Sequence, residues 1–219
     1  MRDDADRPRA AVMPDDDPPL DPAGSAALIA AQRARVAAET DVDGRLLFGV
    51  WGAAWLLGFG ALWAVAGDRP ALGWSPAAAG VLFAGLLVAA MVVTSVHVAR
   101  RTSGVHGTSS LQGAMYGWAW FLGFVAVFAL ASGLTRAGAG AGVVQVAMTL
   151  VPPLLVGVLY MAGAAIWRDR AQFALGAWIL VVTIVASFVG TPGMLAVMSL
   201  AGGGGMLAAA VAEAVRRRS

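Results

Sequence analysis

"LLFGVWGAAWLLGFGALWAVAG", residues 46–67, runs for 22 residues without a charged side chain. About 20 predominantly apolar residues suffice to cross a hydrocarbon core roughly 30 Å thick as an α-helix. A helix also pairs its backbone N–H and C=O groups within itself, which the water-free bilayer interior requires. Residues 46–67 therefore predict a membrane span. Five further stretches share its character, at 77–99, 111–133, 143–167, 172–190 and 194–215. Short polar or turn-forming segments separate them: "DRPALGWSP", "RRTSGVHGTSS", "LTRAGAGAG", "RDRA" and "TPG". The last is a Pro-Gly turn, suited to a tight hairpin between spans five and six. The predicted fold is all-α, a polytopic membrane bundle of six transmembrane helices.

Composition points the same way. The chain is 59% hydrophobic and 13% charged, with mean hydropathy +0.74, too apolar for a soluble domain whose surface polar groups must cover. Cysteine is absent, which removes disulfides, thiolate metal sites and catalytic thiols from consideration. All 15 cationic residues are arginine, and together with abundant Ala and Gly this suggests a GC-rich bacterial genome, hence a bacterial plasma membrane. The sequence pI of 9.9 does not argue for nucleic acid, because the arginines gather at span ends.

Arginines near span ends stay on the cytoplasmic side, so their distribution orients the bundle. One side carries Arg45, Arg100, Arg101, Arg168, Arg170, Arg216, Arg217 and Arg218, and the other only Arg69 and Arg136. Both termini are expected in the cytoplasm, with residues 44–218 as the transmembrane domain. The N-terminus shows no short apolar core followed by a small-residue cleavage site, so the first span is expected to remain as a signal anchor. Ahead of it, residues 1–24 hold seven acidic residues and almost no large apolar ones, a composition that predicts disorder. Residues 25–43 begin with Ser25 as an expected N-cap and are rich in helix formers. Leu28, Ile29, Gln32 and Val36 share one face flanked by Arg33 and Arg35, which suits a helix on the cytoplasmic membrane surface as well as it suits a solvated linker.

The first span has an echo. "AWLLGFGALWAVAG" (54–67) and "AWFLGFVAVFALAS" (119–132) agree at eight of 14 positions, 65 residues apart. Spans two and four agree more weakly and end in the equivalent Arg100 and Arg168. Units of two spans must enter the membrane in the same sense, so these are parallel helical-hairpin repeats. Inverted repeats would have favoured alternating-access transport; parallel ones fit several classes of protein.

Two spans carry interruptions: Pro152 and Pro153 in span four, and Gly202, Gly203, Gly204 and Gly205 in span six. Proline removes an amide donor and clashes with the preceding turn, and each glycine costs a helix about 0.8–1.0 kcal/mol relative to Ala. Paired interruptions of this kind mark a candidate hinge or cavity in transporters. The competing reading is close helix packing through small residues, of which Gly113 and Gly117 form another example. No charged residue lies deep in a span, since Asp68, Asp169 and Glu213 fall at span ends, which disfavours a proton-coupled pump. A lining for a neutral or hydrophobic solute is left to Thr94, Gln145, Thr149, Thr183 and Ser187, each of which can instead bond its own helix backbone.

No HExxH, Walker A or GxSxG pattern is present, and "DVDGR" at residues 41–45 lacks the later ligands of a calcium loop and reads as a helix stop. His97 and His106 are poorly spaced for haem. No cofactor, metal or catalysis is expected. Trp51, Trp74, Trp118 and Trp167 fall near span ends as interfacial anchors.

The stretch "QRARVAAETDVDGRLLFGVWGAAWLLGFGALW", residues 32–63, resembles a group of uncharacterised actinobacterial integral membrane proteins, some loosely labelled transporters. The resemblance covers the surface helix, the Asp-Gly-Arg turn and span one, and brings no activity and no functional residue with it. The functional expectation is a transporter or permease-like subunit for a neutral or hydrophobic solute. Lacking a nucleotide-binding motif, it would work with a partner ATPase or a second copy of itself. The alternative is a non-catalytic scaffold or regulatory subunit acting through its N-terminal segment.

Overall fold

Two aspartates and an arginine decide where the spans begin and end. Asp43 Oδ1 accepts the Arg45 N–H at 3.0 Å and so caps the first membrane helix. Arg168 adopts the left-handed conformation (φ 56°, ψ 36°) and donates its N–H to the Ala164 carbonyl, closing the fourth. One residue later Asp169 Oδ1 accepts from the Ala171 and Gln172 amides at 2.9 and 3.1 Å, opening the fifth. The chain thus reverses within two residues at "RDRA". At the other end of the bundle Ser75 Oγ accepts the Ala78 N–H at 3.1 Å, and Pro76 occupies the first helical position, where its missing donor costs nothing.

The computed structural model describes residues 21–40, 43–67, 71–102 and 108–217. Its helices are α1 (Pro22–Thr40), α2 (Gly44–Val65), α3 (Pro76–Thr102), α4 (Thr108–Arg136), α5 (Ala141–Trp167), α6 (Arg170–Val189), α7 (Gly193–Val197) and α8 (Gly204–Arg216). A π-helical segment, Met198–Gly203, joins α7 to α8 into one continuous last span. Six helical segments are long and apolar enough to cross a membrane, and each lies within a few residues of its expected position. The fold is all-α, as the apolar periods predict.

α1 belongs to a compact unit of its own. It starts at Pro22, ahead of the expected Ser25, because Asp21 supplies the cap: its carboxylate oxygens accept from Ala23 and Gly24 at 3.1 and 3.0 Å. Asp at the cap with Pro in the first turn is a stronger start than a serine inside the helix. The expected disorder of residues 1–20 falls outside the described residues, as does Arg218. "DVDGR" likewise does more than stop a helix, since Asp43 starts α2.

In the second unit, α2 packs against α3 on one side and against α7, the π segment and α8 on the other. The last span then packs on α6, α6 on α5, and α5 on α4. The spans therefore stand in the spatial order two, one, six, five, four, three. The core lies in the middle of this row, where Phe48, Trp55 and Phe59 of α2 meet Leu175, Ile179 and Val182 of α6 and Met194, Leu195, Met198 and Met206 of the last span. Outward-facing Leu122, Phe128, Ile184 and Phe188 remain exposed, as lipid-facing side chains of a bundle in hydrocarbon should be.

Candidate functional site

The glycine run lies where the last span widens from α to π geometry and returns to α. A π turn shifts backbone pairing by one residue and leaves carbonyls without their usual donor. Two side chains answer this. Trp178 of α6 donates its indole Nε1–H to the Ala201 carbonyl at 2.9 Å, and Ser199 Oγ donates to the Leu56 carbonyl of α2 at 2.7 Å. A Cβ on Gly60 would come within 3.2 Å of Ser199 Oγ, so the glycine leaves the hydroxyl its space.

Three of the four glycines are contact points. A Cβ on Gly203 would fall 2.8 Å from Leu56 Cα and 2.9 Å from the Gly52 carbonyl oxygen. A Cβ on Gly52 would fall 2.9 Å from the Leu207 amide nitrogen and 3.0 Å from the Gly203 carbonyl oxygen. The backbones of α2 and the last span touch directly at this pair, the close approach that only glycine allows. Gly202 faces the Trp55 ring and Gly205 the Trp178 indole, whereas Gly204 has nothing within 4 Å. A second crossing of the same kind joins α5 to α6, where Gly157 and Gly176 each lie against the other's carbonyl oxygen. Gly113 and Gly117, the small-residue pair noted in the sequence, have no neighbour within 4 Å. α5 continues as helix through Pro152 and Pro153, and Pro153 is fully buried.

The five polar candidates are scattered rather than assembled. Thr149 and Thr183 donate to the carbonyls of Gln145 and Ile179, each at 2.8 Å, and Ser187 donates to Ile184 at 2.7 Å, all within their own helices. Thr94 Oγ1 accepts from Trp51 Nε1 at 2.9 Å and ties α3 to α2. The Gln145 side chain is exposed near the start of α5.

What the structure assembles instead is an open groove of about 470 Å³ between α6 and α8. Its walls are alanines, Ala171 and Ala174 on one side and Ala208, Ala209 and Ala212 on the other, over a base formed by Phe48 and Leu175. Methyl side chains are too short to fill the gap between the two helices. Trp178 and Gly205, in mutual contact, close its inner end. Glu213 and Arg216 stand at its outer end. Gly205 alone among the hinge candidates lines it.

At that outer end the charges are paired. Glu213, 7% exposed, accepts from Arg216 at 2.6 and 3.0 Å and from Arg217 at 2.8 Å. Asp43 binds Arg45 at 2.7 Å, and this hydrogen-bonded guanidinium holds the Asp43 carboxyl down to about 2. The Asp43 N–H donates to His97 Nε2 at 3.1 Å, joining the start of α2 to the end of α3; His106 falls outside the described residues. Hairpin connectivity puts Arg45, Arg100, Arg101, Arg168, Arg170, Arg216 and Arg217 at this same end of the bundle.

The groove, Gly52, Gly60, Gly157 and Gly176 had no signal in the sequence beyond glycines and alanines that look like many others in this chain. Six apolar helices around a glycine-packed core define a multi-pass α-helical membrane protein. Compared with known proteins, the chain matches no family model, no curated protein and no solved structure.

Proposed function

We propose that this protein is a permease-like membrane subunit for an apolar solute, which enters sideways from the bilayer into the groove between α6 and α8. One observation carries the reading: the groove runs between two membrane helices and is lined by apolar side chains except at its outer end. Its volume of about 470 Å³ lies within the range of roughly 300–1,000 Å³ usual for small-molecule sites. A hydrophilic solute is disfavoured, because the Thr149, Thr183 and Ser187 hydroxyls are engaged with their own helices. In this reading the arginine-rich end and both termini face the cytoplasm of a bacterium, the chain performs no covalent chemistry, and coupling to energy comes from a partner ATPase or a second copy.

The absence of cysteine makes the test direct. Ala209→Cys places one thiol in the groove, and Val185→Cys places one on an outward-facing position of α6 that is 48% exposed. Apolar candidate solutes should slow maleimide labelling of the first variant in vesicles and leave the second unchanged. Equal effects at both positions would refute the site.

A scaffold role is the second reading. It is favoured by α1, which forms a unit of its own with Leu28 and Ile29 exposed. Deleting residues 1–40 should then abolish the cellular phenotype while membrane insertion persists.

A further inference from the structure

The groove has a length and a polarity as well as a volume. Along α8 its lining extends from Gly205 to Arg216, eleven steps, or about 16 Å at 1.5 Å per residue. Half of a hydrocarbon core about 30 Å thick is about 15 Å. The groove is therefore one leaflet deep, with its apolar walls where acyl chains lie and its charged end at headgroup level. Trp178 closes it at the bilayer midplane, and the indole N–H already bonded to Ala201 presents no unmet donor to a ligand.

The outer end is cationic in excess. Arg216 keeps 71% of its side-chain surface exposed while bonded to Glu213, and Glu213 is already satisfied by two guanidiniums. Arg168 and Arg170, both exposed, flank the first turn of α6 one to three residues from the groove-lining Ala171. Asp169 is the acid on this turn, and its carboxylate is occupied by the Ala171 and Gln172 amides. Arginine is the side chain best suited to a phosphate, through several parallel N–H donors.

We infer that the groove is the seat of an anionic phospholipid from the arginine-side leaflet, one acyl chain lying between α6 and α8 and the phosphate held at Arg170 and Arg216. The inference rests on the groove being an apolar-ligand site and specifies the class of ligand. A zwitterionic lipid would gain the same burial of its chain and less from the arginines, since its headgroup cation is repelled by them.

The test uses the full chain purified in detergent and titrated with dioleoyl phosphatidylglycerol or dioleoyl phosphatidylcholine, with bound lipid counted by native mass spectrometry. The wild type should retain one phosphatidylglycerol at least tenfold more tightly than phosphatidylcholine. The double variant Ala174→Leu/Ala209→Leu, which fills the groove, should lose that tightly held lipid. Arg170→Gln/Arg216→Gln should keep lipid binding but lose the preference. Equal wild-type retention of the two lipids would overturn the inference about the headgroup and leave the apolar groove standing. Undiminished phosphatidylglycerol retention by the filled variant would overturn both. Should the filled variant not fold, protection of the Ala209→Cys thiol by phosphatidylglycerol over phosphatidylcholine decides the same point: preferential protection supports the inference, and its absence overturns it.

Discussion

Gly203 and Gly204 are neighbours in sequence and should respond to the same substitution with opposite signs. Changing either to alanine gains about 0.8–1.0 kcal/mol of helix propensity. At Gly204 nothing lies within 4 Å of the new methyl, so that gain stands alone. At Gly203 the methyl would sit 2.8 Å from Leu56 Cα, against ordinary contacts that begin at 3.4 Å. α2 and the last span must then separate by about 0.6 Å, and a gap of that size already forfeits a quarter to a half of the dispersion well between facing atoms. Overpacking of a close contact costs about 1–3 kcal/mol. Gly204→Ala is therefore expected to be about 1 kcal/mol more stable than wild type and Gly203→Ala up to about 2 kcal/mol less stable. The difference between the two variants isolates the steric cost, because the propensity gain cancels. Reversible unfolding in mixed detergent micelles with increasing dodecyl sulfate, followed by circular dichroism, measures it. A difference below about 0.5 kcal/mol, the ordinary error of such comparisons, would refute the backbone contact as the reason for the glycine.

Ser199→Ala removes the hydroxyl that bonds the Leu56 carbonyl and should cost about 1 kcal/mol in the same assay, with Gly60→Ala costing a similar amount by crowding that hydroxyl. Tyr116→Phe deletes the hydrogen bond from α4 to the Leu159 carbonyl of α5, 2.7 Å long, and should loosen the end helix of the row by about 1 kcal/mol, seen as faster amide exchange in α4. Asp43→Asn keeps a good N-cap but removes the charge that Arg45 stabilises. Because the folded carboxyl is held down to about 2, below its unfolded value of about 3.9, its contribution is complete above pH 4 to 5 and is lost as pH falls through 2. Wild type and variant should therefore differ in stability at pH 6 and converge near pH 2.

The capping chemistry shows how far local sequence reaches. Asp169 following a left-handed Arg168 is a reversal written into four residues, and "TPG" is another. Ser25 misled because Asp21 and Pro22 together make a better start one turn earlier. The polar candidates failed to converge because a lone hydroxyl in a helix finds a carbonyl on its own preceding turn, at 2.7–2.8 Å for Thr149, Thr183 and Ser187, before it finds a neighbour. The glycine run was legible as unusual, yet its role was not, because an interruption and a contact surface have the same composition.

Span number, span length and the concentration of arginines at one end follow from the sequence alone. Each is a one-dimensional quantity, set by the thickness of the hydrocarbon and the cost of placing charge within it. The order of helices in the row, the Gly52–Gly203 and Gly157–Gly176 crossings and the alanine-walled groove were decided only by tertiary packing. Within lipid no hydrophobic force selects one apolar face over another, so neighbours are chosen by the fit of surfaces. Gly113 and Gly203 read alike along the chain; only the folded bundle places one in open space and the other on the backbone of α2.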